Sequence, residues 1–242
     1  MENLQHTQIP NGMGEDNLDP KDQYIYVIIK SFENEETKEC FPSIQKIAEK
    51  AGTSAPTVID SINRLESTGY IKREKRGRRN YYTFSKYKKF EPISPDFIKK
   101  KDLSFTTKAY IVASQQYMIK DIANYGKLSY SNTTLSEKIN MPESTIRKCN
   151  KELESKDYLT IIKNESRDIE TGLRTETKLF ELNKLGQAVI WVLNEHNNQI
   201  QKNTNDISAL QERVDKQQEL IDKLTRFIQE NTKDTEQQMY TF

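Results

Sequence analysis

The chain has 242 residues, 34% hydrophobic and 30% charged, so its cores are small or part of it is extended. Its net charge of +1 selects no partner class, but the two cysteines, Cys40 and Cys149, stand too far apart for a zinc site or a disulfide framework. No run approaches the ~18 apolar residues of a membrane span, and the first residues lack the apolar run of a secretory signal, so a soluble cytoplasmic protein is expected.

In chain order, residues 1–17 read as a disordered tail. The first 20 residues carry Glu2, Glu15, Asp16 and Asp19 and no Lys or Arg. Asp19-Pro20 starts a helix, with an acidic cap before a proline at the first helical position, and the apolar run Tyr24 to Phe32 continues it. Glu33 to Pro42 is a polar loop. Ser43 opens a second helix with Ile44, Ile47 and Ala48 inward, and Gly52 ends it. Ser54 caps a third helix whose stripe Val58, Ile62, Leu65 recurs at i, i+4, i+7. Gly69 stops that helix. Tyr70 to Lys75 and Asn80 to Ser85 then read as two strands about the turn Arg76-Gly77-Arg78-Arg79. Helix, helix, turn, helix, hairpin is the winged-helix order, here over residues 18–89.

Pro92 and Pro95 mark a linker over residues 90–103. The chain then repeats itself. At an offset of 88, Ser43 meets Ser131, Glu49-Lys50 meets Glu137-Lys138, Thr57-Val58 meets Thr145-Ile146, Leu65-Glu66-Ser67 meets Leu153-Glu154-Ser155, and Tyr70-Ile71 meets Tyr158-Leu159. Upstream the offset is 85, and Leu18-Asp19 meets Leu103-Ser104. The second copy covers residues 104–183. Ser104 caps its first helix, which runs through Tyr117. Thr133 to Asn140 is the second helix and Glu143 to Lys156 the third, with Ile146 and Leu153 inward. Tyr158 to Lys163 and Glu176 to Leu182 are its strands, about a longer turn that contains Gly172.

Residues 184–232 read as a helix, Lys184 to Asn197, running into a coiled coil. Every seventh residue from Ile200 is a β-branched aliphatic: Ile207, Val214, Ile221, Ile228. Three residues on from these stand Asn203, Leu210, Gln217, Leu224 and Asn231. This a/d pattern suits a parallel dimer, while the polar d sites and Leu220 and Phe227 at g leave a trimer or tetramer open. The competing account is one amphipathic helix folded back on its own domain. Residues 233–242 read as a second disordered tail. The fold class is mainly α with small β-hairpins (α+β): tandem winged-helix domains followed by a long C-terminal coiled-coil helix.

The stretch Phe41-Pro42-Ser43, Ile47-Ala48-Glu49-Lys50, Gly52-Thr53-Ser54, Thr57-Val58, Leu65-Glu66 and Gly69-Tyr70-Ile71 resembles the winged helix-turn-helix domains of bacterial, phage and plasmid regulators and replication initiators. The resemblance covers Leu18 to Ser85, and the second copy more faintly. It implies double-stranded DNA as partner, with the third helix in the major groove and the wing along the backbone or minor groove.

The charge fits that implication, because Tyr70 to Lys89 holds nine basic residues against one acid, Glu74. Candidate DNA contacts in the first copy are Ser54, Thr57, Asp60, Asn63 and Arg64 on the third helix and Lys72, Arg73, Lys75, Arg76, Arg78 and Arg79 on the wing. In the second they are Ser144, Thr145, Arg147, Lys148 and Lys151, with Arg167 and Arg174 on the wing; Glu152 also falls in the outward set. Related domains often carry arginines after the capping serine. Here Ala55 and Pro56 stand there, and the outward Asp60 repels phosphate unless it accepts from a cytosine amine. The first wing is therefore expected to grip and the second helix to read. The competing account of the basic run is a solvated surface, and some winged helices bind protein instead.

No Gly-rich phosphate loop, carboxylate pair or nucleophile–base pattern is legible, and His6 and His196 stand isolated. The chain is expected to be no enzyme and to need no metal or cofactor. A homo-oligomeric transcriptional regulator, associated with a bacterial nucleoid or plasmid, is the leading role. A phage or plasmid replication initiator binding origin repeats and a segregation or scaffold protein are the alternatives.

Overall fold

The computed structural model describes residues 6–87, 89–122, 125–167, 172, 174–187 and 203–224. They form two units, one within Met1–Val192 and one within Leu193–Phe242, with a mixed α/β architecture and small antiparallel sheets in the first.

The helices of the first copy begin and end at the residues that chemistry selects. In α1 (Pro20–Lys30), the Asp19 side chain accepts from the Lys21 and Asp22 amides and Asp22 answers on the Asp19 amide, a capping box. Ser43 caps α2 (Ile44–Ala51), Gly52 closes it at φ +74°, and Ser54 caps α3 (Ala55–Ser67). Strands β2 (Ile71–Arg76) and β3 (Arg79–Phe84) follow as an antiparallel hairpin. The second copy supplies α5 (Phe105–Ser114), α6 (Asn132–Ile139), α7 (Glu143–Ser155), β7 (Leu159–Arg167) and β8 (Arg174–Glu181). Pro20 and Phe105 differ by 85, while Ile44 and Asn132, Ala55 and Glu143, and Ile71 and Leu159 each differ by 88. The offsets read from side chains are those of the backbone.

The two copies share one core. Tyr24 to Ile29 in α1 and Thr107 to Ser114 in α5 are buried, and the Tyr24 and Phe105 rings pack 5.7 Å apart. A helix buried all round needs partners on every side. Each first helix finds one in its counterpart from the other copy.

Three expectations are corrected. Residues 1–17 are not wholly a tail, nor are residues 90–103 a bare linker. Strand β1 (Thr7–Pro10) pairs antiparallel with β4 (Phe90–Ile93), and α4 (Pro95–Lys99) follows, capped by Ser94. The cause is apolar: Ile9, Met13, Leu18, Ile93 and Phe97 are all buried. Gly14 allows the N-terminal segment to press on the second copy, since a Cβ there would stand 2.9 Å from the Lys138 carbonyl oxygen. Second, the helix does reach Tyr117, its last turn Gln115–Tyr117 tightening to a 3-10 turn after α5, but an unexpected hairpin follows, β5 (Ile119–Ile122) and β6 (Tyr125–Ser129). It completes a sheet of order β5-β6-β8-β7. Third, the expected start at Lys184 falls inside a short helix, α8 (Leu182–Leu185), closed by Gly186 at φ +79°.

In the second unit, residues 203–224 form a helix, α9. Ile207, Leu210, Val214, Leu220, Ile221 and Leu224 are each more than half exposed on it. Ile200, Ile228, most of the expected Lys184–Asn197 helix and residues 233–242 lie outside the described residues. Among the described residues, no helix is long and apolar enough to cross a membrane.

Each third helix also clamps the start of its own first helix. In the first copy Arg64 grips Asp22 through two bonds of 2.7 Å each. In the second, Glu152 accepts from the Ser104 amide at 2.8 Å, the Ser104 hydroxyl at 2.7 Å and the Thr107 hydroxyl at 2.5 Å. Burial alone would raise the Glu152 pKa, but these bonds and Lys156 outweigh it and hold the carboxyl at about 2. A carboxylate held below its ordinary value stabilises the fold above that value and loses the contribution as pH falls toward 2. Glu152→Gln is therefore expected to be less stable than the parent at neutral pH by about 2 kcal/mol. The gap should close between about pH 5 and pH 2 in urea titrations. A gap independent of pH would remove the carboxylate from this account.

Candidate nucleic-acid interface

The start of α3 is built for close approach. Ser54 accepts from the Thr57 amide at 3.4 Å, and the two hydroxyls lie 2.9 Å apart. Asp60 and Asn63 are exposed, as is Ile59. Arg64 is not the free outward cation the helical stripe implies. Its guanidinium forks onto Asp22, whose side chain has no exposed surface, and that bonding raises the Arg64 pKa. Glu152 occupies the equivalent place in α7 and is likewise committed. The outward face of α3 is thus left without a free arginine.

The hairpin has two faces, set by its register of Ile71 opposite Phe84 through Arg76 opposite Arg79. Gly77 turns it at φ +60°, a conformation that suits glycine. On the inner face Arg73 reaches Glu66 at 2.9 Å and Asn63 at 3.2 Å, tying the hairpin to α3. The Tyr82 amide donates to the Cys40 carbonyl at 2.7 Å and sets Phe41 beside Tyr81 of the outer face, with ring centroids 5.1 Å apart and planes tilted by 39°. Arg76 lies over Tyr81 at 4.7 Å and Arg79 over Phe41 at 5.2 Å. Arg76 also meets Glu74 at 2.9 Å. Lys72, Lys75 and Arg78 are exposed.

The second copy distributes charge differently. Pro142 precedes α7 without a side-chain cap. Ser144, Arg147, Lys148 and Lys151 are exposed and Thr145 is half-buried. Arg147 pairs with Glu143 at 3.0 Å, one turn back. On the second hairpin Arg167 donates to the Gly172 carbonyl at 3.0 Å, and Arg174 is exposed.

Residues 16–71 match the family described as a helix-turn-helix domain. The chain carries a helix-turn-helix domain. That helix-turn-helix domain takes in α1, α2 and α3 and ends on Ile71, the first residue of the basic hairpin. No curated protein matches the chain.

The cations expected on a hairpin lie on one, but the pair of rings that orders two of them was not expected. The available signal was Tyr81 beside Tyr82: successive strand residues face opposite ways, so one ring had to point outward.

Proposed function

We propose that this chain is a sequence-specific double-stranded DNA-binding protein that acts as an oligomeric transcriptional regulator. One observation carries the reading: a helix-turn-helix domain over residues 16–71 is followed at once by a hairpin bearing Lys72, Arg73, Lys75, Arg76, Arg78 and Arg79. Each copy is read as a winged helix. In each, the third helix enters the major groove and the hairpin lies on the backbone. The hairpin grips in the first copy, whose α3 lacks a free arginine. The second copy reads through Arg147, Lys148 and Lys151. The α1–α5 core joins the two heads, so one site spans both. The exposed aliphatic stripe of α9 supports a coiled coil between copies. In this reading the protein works in the cytoplasm, on bacterial, phage or plasmid DNA, without catalysis or cofactor.

Arg78→Ala/Arg79→Ala is expected to weaken duplex binding in gel-shift titrations and to flatten its salt dependence by a log–log slope of about 0.9 for each phosphate no longer neutralised. An unchanged affinity and slope would take the hairpin out of the interface. Genome-wide mapping of bound sites then assigns the role, with promoter peaks expected for a regulator. A cluster of repeats inside the protein's own gene would instead mark a replication initiator, a reading that the exposed ring stack of the first hairpin favours. An absence of peaks would leave a scaffold.

A further inference from the structure

The outer face of the first hairpin carries a feature that duplex reading does not require. Four planar groups follow one another as Arg76, Tyr81, Phe41 and Arg79, with successive separations of 4.7, 5.1 and 5.2 Å. Phe41 is 40% exposed, whereas Tyr24, Tyr26, Tyr70 and Tyr82 of the same copy are buried. A large apolar ring held at the surface beside a second ring tilted 39° from it, each covered by a guanidinium, forms a cluster in which another planar group can take a guanidinium's place over a ring.

The surroundings fix which planar groups. Lys72, Lys75 and Arg78 are exposed on the same hairpin, and Glu74 is its single acid. The ligand is therefore planar at intervals and anionic between them. An unpaired strand has that chemistry, since each base has a π-face and each link a phosphate. A duplex hides its base faces within the stack and offers them to neither ring.

We propose that this cluster is a single-stranded DNA site, in which neighbouring bases take the places of Arg76 and Arg79 over Tyr81 and Phe41 and the backbone runs along the displaced arginines and Arg78. The proposal rests on the nucleic-acid reading of this face but is separable from the reading of duplex by α3 and α7. A hairpin whose cations meet the backbone of either form is suited to exchanging duplex for an unpaired strand as DNA opens.

The test uses the full chain, labelled oligo(dT) and a mixed-sequence duplex, with binding followed by fluorescence anisotropy. Phe41→Ala/Tyr81→Ala is expected to weaken oligo(dT) binding by about tenfold or more and duplex binding by a much smaller factor, since Arg76 and Arg79 remain to meet phosphate. Phe41→Leu keeps the apolar volume and removes the π-face, so it too should weaken oligo(dT) binding with no change in melting temperature. Phe41→Trp should retain binding, and its added indole emission, measured against the parent's single Trp191, should be quenched by oligo(dT). The proposal is overturned if the parent fails to bind oligo(dT), or if the alanine and leucine variants bind it as the parent does. Loss of duplex binding with oligo(dT) binding intact would instead defeat the regulator reading and spare this one.

Discussion

Arg64→Ala is expected to destabilise the first unit by about 3 kcal/mol, the low end of what breaking a buried ion pair costs. The low end applies because the pair is one-sided. Asp22 is fully buried while the Arg64 side chain is 46% exposed. Removing the guanidinium takes away both 2.7 Å bonds and leaves a buried carboxylate with its capping-box amide as the one bond described for it. Asp22 also closes the start of α1, so the loss falls on the helix that joins the two copies. Arg64→Lys should recover only part of the stability, since an ammonium lacks the planar fork. Asp22→Asn/Arg64→Ala should be more stable than Arg64→Ala alone, because no buried charge is left behind. Urea midpoints of the three variants decide it. Equal midpoints for parent and Arg64→Ala would mean that water satisfies Asp22 as well as the arginine does. The prediction also separates structure from recognition: the folded fraction of Arg64→Lys should bind duplex as the parent does, whereas a base-reading arginine would not tolerate the change.

That arginine shows where sequence reading reached its limit. Hydrophobic period places Val58, Ile62 and Leu65 inward, and all three are buried. A charged residue beside that stripe reads as exposed, because nothing local shows that its partner lies 42 residues upstream. The repeat nevertheless held the information. Arg64 and Glu152 are equivalent at the offset of 88, and Asp22 and Thr107 at 85. The third-helix residue changes from base to acid, and the first-helix residue changes with it from acid to hydroxyl. A second contact recurs with a one-residue slip: the Tyr70 hydroxyl donates to Asp16 at 2.6 Å and the Tyr158 hydroxyl to Asp102 at 2.5 Å, the two aspartates standing 86 residues apart.

Caps and glycine stops were legible because their chemistry lies within a turn of the chain. Strand β1 was not, because four residues ending in proline carry almost no period and the partner strand lies some 80 residues downstream. The β5–β6 hairpin was missed for the same reason: Ile119–Ile122 is too short to show alternation and gains its place from pairing in a four-stranded sheet. Of the candidate interface, the hairpin cations were legible from charge density alone. The ring stack depends on one bond between Tyr82 and Cys40, which no local pattern announces.

If α9 forms the proposed coiled coil, the parent sediments as an oligomer at micromolar concentration and Leu210→Asp/Val214→Asp as a monomer. The two substitutions should also weaken binding to a site made of two repeats by about 100-fold or more, the avidity that disappears when two tethered heads become separate. Helix α9 has little to hold it by itself. Its ion pairs, Lys216 with Glu212 at 2.7 Å and Lys223 with Glu219 at 2.8 Å, lie on the face opposite the stripe. Such pairs contribute about 0.2–0.5 kcal/mol each, too little to hold an isolated helix of this length. The stripe Ile207, Leu210, Val214, Ile221 and Leu224 is more than half exposed in the single chain. Burying one aliphatic side chain fully stabilises by about 1.5–3 kcal/mol, so the helix gains most of its stability only when the stripe is covered. A strict seven-residue spacing is what a second copy of the same helix covers best. An aspartate at Leu210 and another at Val214 place two charges in each strand of that seam. Lys216→Ala, on the opposite face, should leave both sedimentation and affinity unchanged. If the double aspartate variant sediments with the parent, α9 is not the interface, and the two heads of one chain must account for DNA binding by themselves.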